Sequence, residues 1–118
     1  MSLKCLKSAH TTNYDTGADV GSSVTSTFFI PSTPILNESV QGLIYDGSVN
    51  IQSFTVDDEG DLAISNVGGS HTVHVNSGTL NLETGKLTLT WNSAPGTNHV
   101  SMSYTGRPIY QQVSSRLF

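Results

Sequence analysis

Cysteine is nearly absent: Cys5 is the only one in 118 residues. No disulfide can close within the chain, which excludes a disulfide-stapled extracellular scaffold and fits synthesis in a reducing compartment. Cys5 is read as a spectator thiol, with a cross-link between chains as the other option. Charge is scarce too, with Asp, Glu, Lys and Arg together only 12%. Helices usually clothe their surface in Lys, Glu and Arg, so this shortage argues against a helical protein, and no long segment has a helical period. Apolar runs are short. None approaches the ~20 residues of a membrane helix, and the N-terminus has neither an apolar signal core nor a cleavage pattern. The chain is therefore expected to be soluble at synthesis and without a secretion signal. The net charge of −4 does not suggest nucleic-acid binding. There is no glycine-rich phosphate loop and no G-x-S-x-G elbow.

Hydroxyl residues fill the space left by charge: Ser contributes 17 residues and Thr 14. Such a mix favours β-strands with hydroxyl-covered faces. The clearest signal runs from 77 to 105. Leu80 and Leu82 alternate with Thr79 and Asn81, and a turn follows at Glu83-Thr84-Gly85. Leu87, Leu89 and Trp91 alternate with Thr88 and Thr90, and Ser93-Ala94-Pro95-Gly96 turns the chain again. Val100, Met102 and Tyr104 then alternate with Ser101, Ser103 and Thr105. Period-two alternation gives each strand one buried and one wet face, and Gly, Pro and Asn supply the turn angles.

Further strands are expected at 22–30, 39–45, 50–56, 61–65 and 70–76. They are separated by Pro31-Ser32-Thr33-Pro34, Asp46-Gly47-Ser48, Asp57–Gly60 and Gly68-Gly69. Spacings near ten residues suit a sandwich. The expected fold is all-β: one antiparallel β-sandwich, Ig-like or jelly-roll-like, of about seven or eight short strands. Residues 1–21 read as an extended N-terminal arm, 22–105 as the sandwich and 106–118 as a C-terminal tail. No internal repeat and no linker divides the chain.

The charges are segregated. The basic residues are Lys4, Lys7, Lys86, Arg107 and Arg116, whereas all nine acidic residues fall between Asp15 and Glu83. One reading is that basic ends reach the acidic body of a neighbouring copy or partner; the other is chance, since surface charges often contribute little. On the first reading, subunit docking is assigned to Lys4, Cys5 and Lys7 in the arm. In the tail it is assigned to Arg107, Tyr110, Arg116, Leu117 and Phe118.

Catalytic and metal chemistry find little purchase. Asp57, Glu59 and Asp61 copy part of a calcium-loop spacing, but the glycine is misplaced and no bidentate Glu follows; a solvated turn explains them. His71 and His74 stand three apart, and on a strand they would point to opposite faces, so they cannot share a zinc ion directly. His10 and His99 lie far off in sequence. Trp91 and Tyr104 are candidates for a carbohydrate platform, yet their parity with Leu87, Leu89, Val100 and Met102 marks them as core. The expectation is a non-enzyme with no catalytic residues, no metal and no cofactor.

Three groups of residues carry a resemblance. The first is Pro34-Ile35-Leu36-Asn37-Glu38-Ser39-Val40. The second is Phe54-Thr55-Val56-Asp57-Asp58-Glu59-Gly60, followed by Gly68-Gly69. The third is the series Gly78-Thr79-Leu80, Glu83-Thr84-Gly85, Leu87-Thr88-Leu89-Thr90-Trp91, Ala94-Pro95 and Ser103-Tyr104. In this order they resemble a small β-sandwich module that recurs in virion structural proteins of tailed bacteriophages: tail, baseplate, fibre or decoration proteins. The resemblance covers residues 28–105 and carries no catalytic residues. It implies a virion structural protein made in the host cytoplasm, either a capsid decoration (cement) protein or a tail, neck or baseplate component. The implied partners are other virion proteins (major capsid or tail subunits) and copies of itself in a homo-oligomer, with no nucleic acid and no membrane. The alternative is a carbohydrate-binding or adhesion β-sandwich, which Trp91 or Tyr104 exposed in a shallow groove would favour.

Overall fold

Two strands set the core. On β8 (Lys86–Trp91), Leu87, Leu89 and Trp91 point inward between Thr88 and Thr90. On β9 (Asn98–Gly106), Val100, Met102 and Tyr104 point inward between Ser101 and Ser103. All six apolar side chains are at most 2% exposed, the geometry that alternation demands. The computed structural model describes residues 2–7, 10–17, 23–68 and 71–113, and side chains only for those between 10 and 108.

The other strands are β1 (Ser2–Lys7), β2 (His10–Asp15), β3 (Thr25–Phe29), β4 (Gln41–Asp46), β5 (Val49–Val56), β6 (Leu62–Asn66), β7 (Val75–Leu80) and β10 (Ile109–Val113). A 3-10 turn, Asn37–Ser39, precedes β4. The chain is an antiparallel β-sandwich. One sheet has five strands in the order β2-β9-β4-β5-β6, the other three in the order β3-β8-β7. Among the described residues there is no α-helix, and no helix is long and apolar enough to cross a membrane.

Buried Ile44, Ile51, Phe54 and Val56 from the large sheet meet Val75, Leu80, Leu87, Leu89 and Trp91 from the small one. Ile30, Ile35 and Val40, on the connection from β3 to β4, close one end of the core. The two rings at the centre also satisfy their polar atoms. Trp91 Nε1 donates to Ser26 Oγ at 3.1 Å, and the Tyr104 hydroxyl donates to Pro31 O at 2.6 Å. Buried polar groups need such partners.

The strand expected at 70–76 lies elsewhere. Residues 71–74 are irregular, with a bend at 72–73, and the strand begins at Val75. Asn92 holds this segment: its Oδ1 accepts from His74 N at 2.8 Å and its Nδ2 donates to Thr72 O at 2.7 Å. The alternation through Leu82 also stops early, because Asn81 Oδ1 accepts from Glu83 N and Thr84 N, both at 3.0 Å. That local cap competes with the ladder. Gly85, at φ +81°, completes the turn with its Cα against Ile30 O, where a Cβ would lie 2.3 Å away; only glycine fits both constraints.

Residues 10–15, within the segment expected as an arm, form the edge strand β2 and pair with β9 from His10–Gly106 to Asp15–Ser101. Beyond the sandwich the same two chain segments pair again as β1 and β10, Lys7 opposite Ile109 and Ser2 opposite Val113. The ladder breaks between them. Pro108 has no N–H to give, and Arg107 N instead donates to Pro34 O at 2.7 Å. The ribbon makes the molecule long. Its principal extents are 67 × 24 × 23 Å and its radius of gyration is 17.2 Å, against about 13–14 Å for a compact chain of this length.

Candidate docking surface

The ribbon gathers five of the eight residues assigned to docking. Lys4, Cys5 and Lys7 lie on β1 and Tyr110 on β10, with Cys5 opposite Tyr110 and Lys4 opposite Gln111. Arg107 sits at the ribbon's root, between β9 and β10. Arg116, Leu117 and Phe118 fall outside the described residues. The strands β1 and β10 contain no acidic residue, so the ribbon is basic by sequence and the body acidic. Among the described residues, β1 and β10 pair only with each other, which leaves a free ladder edge on each side. A two-stranded ribbon is marginal by itself in water.

Arg107 has a partner within its own chain. One guanidinium nitrogen pairs with Glu83 Oε1 in the turn between β7 and β8. Both side chains are substantially exposed, 37% and 71%, so the pair adds little stability. It links the ribbon's root to the turn between β7 and β8.

Asp57 and the described imidazoles make contacts within the fold. Asp57 Oδ1 accepts from Glu59 N and Asp61 N, each at 2.9 Å, and so caps the turn between β5 and β6. No group of three or more His, Cys, Asp or Glu with metal-holding geometry occurs among the described residues. The His71 ring bonds Val67 O at 3.0 Å and the His74 ring bonds His71 O at 2.8 Å. Both imidazoles thus hold the crossover between β6 and β7. His10 pairs with Ser32 Oγ at 3.2 Å. His99 stacks on Tyr45, with centroids 5.0 Å apart and planes 9° apart, on the outer face of the large sheet. Sequence reasoning passes over that stack, although the outward parity of 99, 101 and 103 is its signal.

Trp91 and Tyr104 are core residues, 2% and 1% exposed, so neither offers a sugar platform. Burial, with a smaller contribution from neighbouring Tyr14, pushes the Tyr104 hydroxyl up to about 12. It is therefore protonated and a hydrogen-bond donor at neutral pH. No protein-family model, curated protein or solved structure matches this chain.

Proposed function

We propose that this chain is a non-catalytic structural protein of a tailed-bacteriophage virion, a capsid decoration protein or a tail, neck or baseplate component. It docks on neighbouring subunits through the ribbon of β1 and β10. The observation that carries this reading is the ribbon itself. It holds both terminal segments side by side, projects beyond the sandwich, keeps two ladder edges unpaired among the described residues and concentrates Lys4 and Lys7 away from an acidic body. Free edges accept strands from a partner, and many such weak contacts on a symmetric lattice combine through effective concentration. The sandwich acts as a rigid spacer with hydroxyl-rich faces. The carbohydrate-platform alternative loses its basis with Trp91 and Tyr104 in the core.

The test is purification of particles of the phage that encodes the chain, followed by quantitative mass spectrometry. The expected result is this chain in the particles at a fixed ratio to the major capsid or tail subunit. Particles lacking it would overturn the proposal.

A further inference from the structure

A groove of about 570 Å³ lies at the corner where the large sheet meets the small one. Asp61 and Thr79 form an antiparallel bridge, and Leu80 N donates to Gly60 O at 2.7 Å. These contacts lay the start of β6 alongside β7. Half-buried Leu62 and Ile64 supply an aliphatic surface. Opposite it stand polar side chains from three elements: Asp61, Asn76 and Thr79, with Thr88 and Thr90 from β8. Thr79 faces Thr88 directly across the ladder, and Ser77 faces Thr90, so the hydroxyls form rows spaced by the strand separation.

The side chains of Asp61, Asn76, Thr79, Thr88 and Thr90 make no hydrogen bond with any described residue. Outward hydroxyls on other strands, such as Ser53, Thr55 and Ser65, are likewise unengaged, whereas the buried and turn amides are not. Asn50, Gln52, Asn81, Asn92 and Asn98 all commit their amides to backbone groups, and Asp57 commits its carboxylate to two N–H groups. The groove therefore collects unengaged donors and acceptors that the fold does not need.

We propose that this groove binds a neutral carbohydrate. Hydroxyls, an amide and one carboxylate can each meet a sugar hydroxyl, which both donates and accepts. Leu62 and Ile64 offer an apolar surface to the C–H face of a ring. The volume falls in the range of small-molecule sites, about 300–1,000 Å³. Charge decides between sugar classes. Among the described residues no Lys or Arg lines the groove, and its one ionisable group is Asp61, so a sulfate, phosphate or uronate would meet repulsion without a counter-charge. The site is separate from the terminal ribbon, so its failure would leave the docking role standing.

The experiment is heteronuclear NMR on the full chain, titrated with maltotriose, cellotriose and chitotriose, and with sialyllactose as the anionic control. A neutral trisaccharide should shift the amides of 61–64, 76–79 and 88–90. Thr88→Val and Asp61→Asn should each weaken that binding about tenfold or more, as loss of a direct hydrogen bond does. Thr55→Val, on the far outer face, should leave it unchanged, and the spectrum of each variant reports its fold. Three results would overturn the proposal: no shift with any neutral sugar up to about 10 mM, shifts confined to other residues, or tighter binding of sialyllactose. Unchanged binding by Thr88→Val and Asp61→Asn would do the same.

Discussion

The side-chain amide of Gln52 pairs with both backbone groups of Val75. Its Nε2 donates to Val75 O at 2.9 Å and its Oε1 accepts from Val75 N at 2.8 Å. Gln52 belongs to the large sheet and Val75 to the small one, and both are buried. One side chain thus acts as a ladder rung between the two layers, at the point where a bulge interrupts β7. Gln52→Ala leaves two buried backbone groups without partners. It should lower stability by ~2–4 kcal/mol, read as a drop in the urea midpoint at unchanged slope. Gln52→Glu keeps the acceptor but sets an oxygen against Val75 O, so it should be nearly as damaging at neutral pH and partly recover in acid.

Trp91 fills the centre of the core and reaches Ser26 with its indole N–H. Trp91→Ala should cost ~3–5 kcal/mol. Chemical denaturation followed by far-ultraviolet circular dichroism measures it, since the only tryptophan signal is removed with the residue.

Tyr104 sets an alkaline limit. Burial, with a smaller contribution from Tyr14, raises its pKa from the ordinary 10.0 to about 12 in the folded state. The folded state holds the proton more tightly, so this contribution is complete below about pH 10. It is lost as pH rises towards about 12 and amounts to ~2–3 kcal/mol. Urea midpoints should fall across that window. Tyr104→Phe should reduce the slope while costing about 1 kcal/mol at neutral pH through the lost bond to Pro31 O.

Gly42 and Phe54 form a cross-strand pair in which the ring lies over the glycine. A Cβ at Gly42 would sit 2.0 Å from the ring edge. Gly42→Ala should therefore destabilise by ~1–3 kcal/mol through overpacking. Combined with Phe54→Leu, the two costs should be clearly less than additive, because the smaller side chain removes the clash. A double-mutant cycle of unfolding free energies checks this.

Deleting 1–8 together with 109–118 removes the ribbon but leaves β2 and the Arg107 N bond to Pro34 O in place. On the proposed docking role, the truncated chain should stay folded and fail to assemble with partner subunits, as seen by light scattering and particle co-sedimentation. A deletion through residue 21 is a poorer test, since it also strips β2 from the sheet and Thr16 Oγ1 from Val100 N.

The body of the fold is legible in the sequence where burial and alternation coincide. Leu87 to Trp91 and Val100 to Tyr104 announce both strand and face. Gln52 shows why legibility stops. Strict alternation from Ile51 would turn Gln52 outward, but Ile51 has no partner on β4, whose register jumps between Ile44 and Tyr45. That bulge, plugged by Asn50 Nδ2 bonding Ile44 O and Gln52 O, buries two successive residues. The pairing of β1 with β10 joins residues more than a hundred positions apart, and no local pattern encodes it. The same holds for the groove at the sheet corner, whose walls come from β6, β7 and β8 and assemble only when the two sheets close there.

The ribbon also gives the molecule polarity. Ser2 and Val113, paired across the ribbon, lie at the same pole, a strand's width apart. The Asp46–Val49 hairpin caps the other end of the β4–β9 ladder, opposite Asn98. A peptide spliced at Gly47-Ser48 and a label at Ser2 or Val113 would therefore occupy opposite poles of the rod, and each pole can be labelled, blocked or imaged without touching the other.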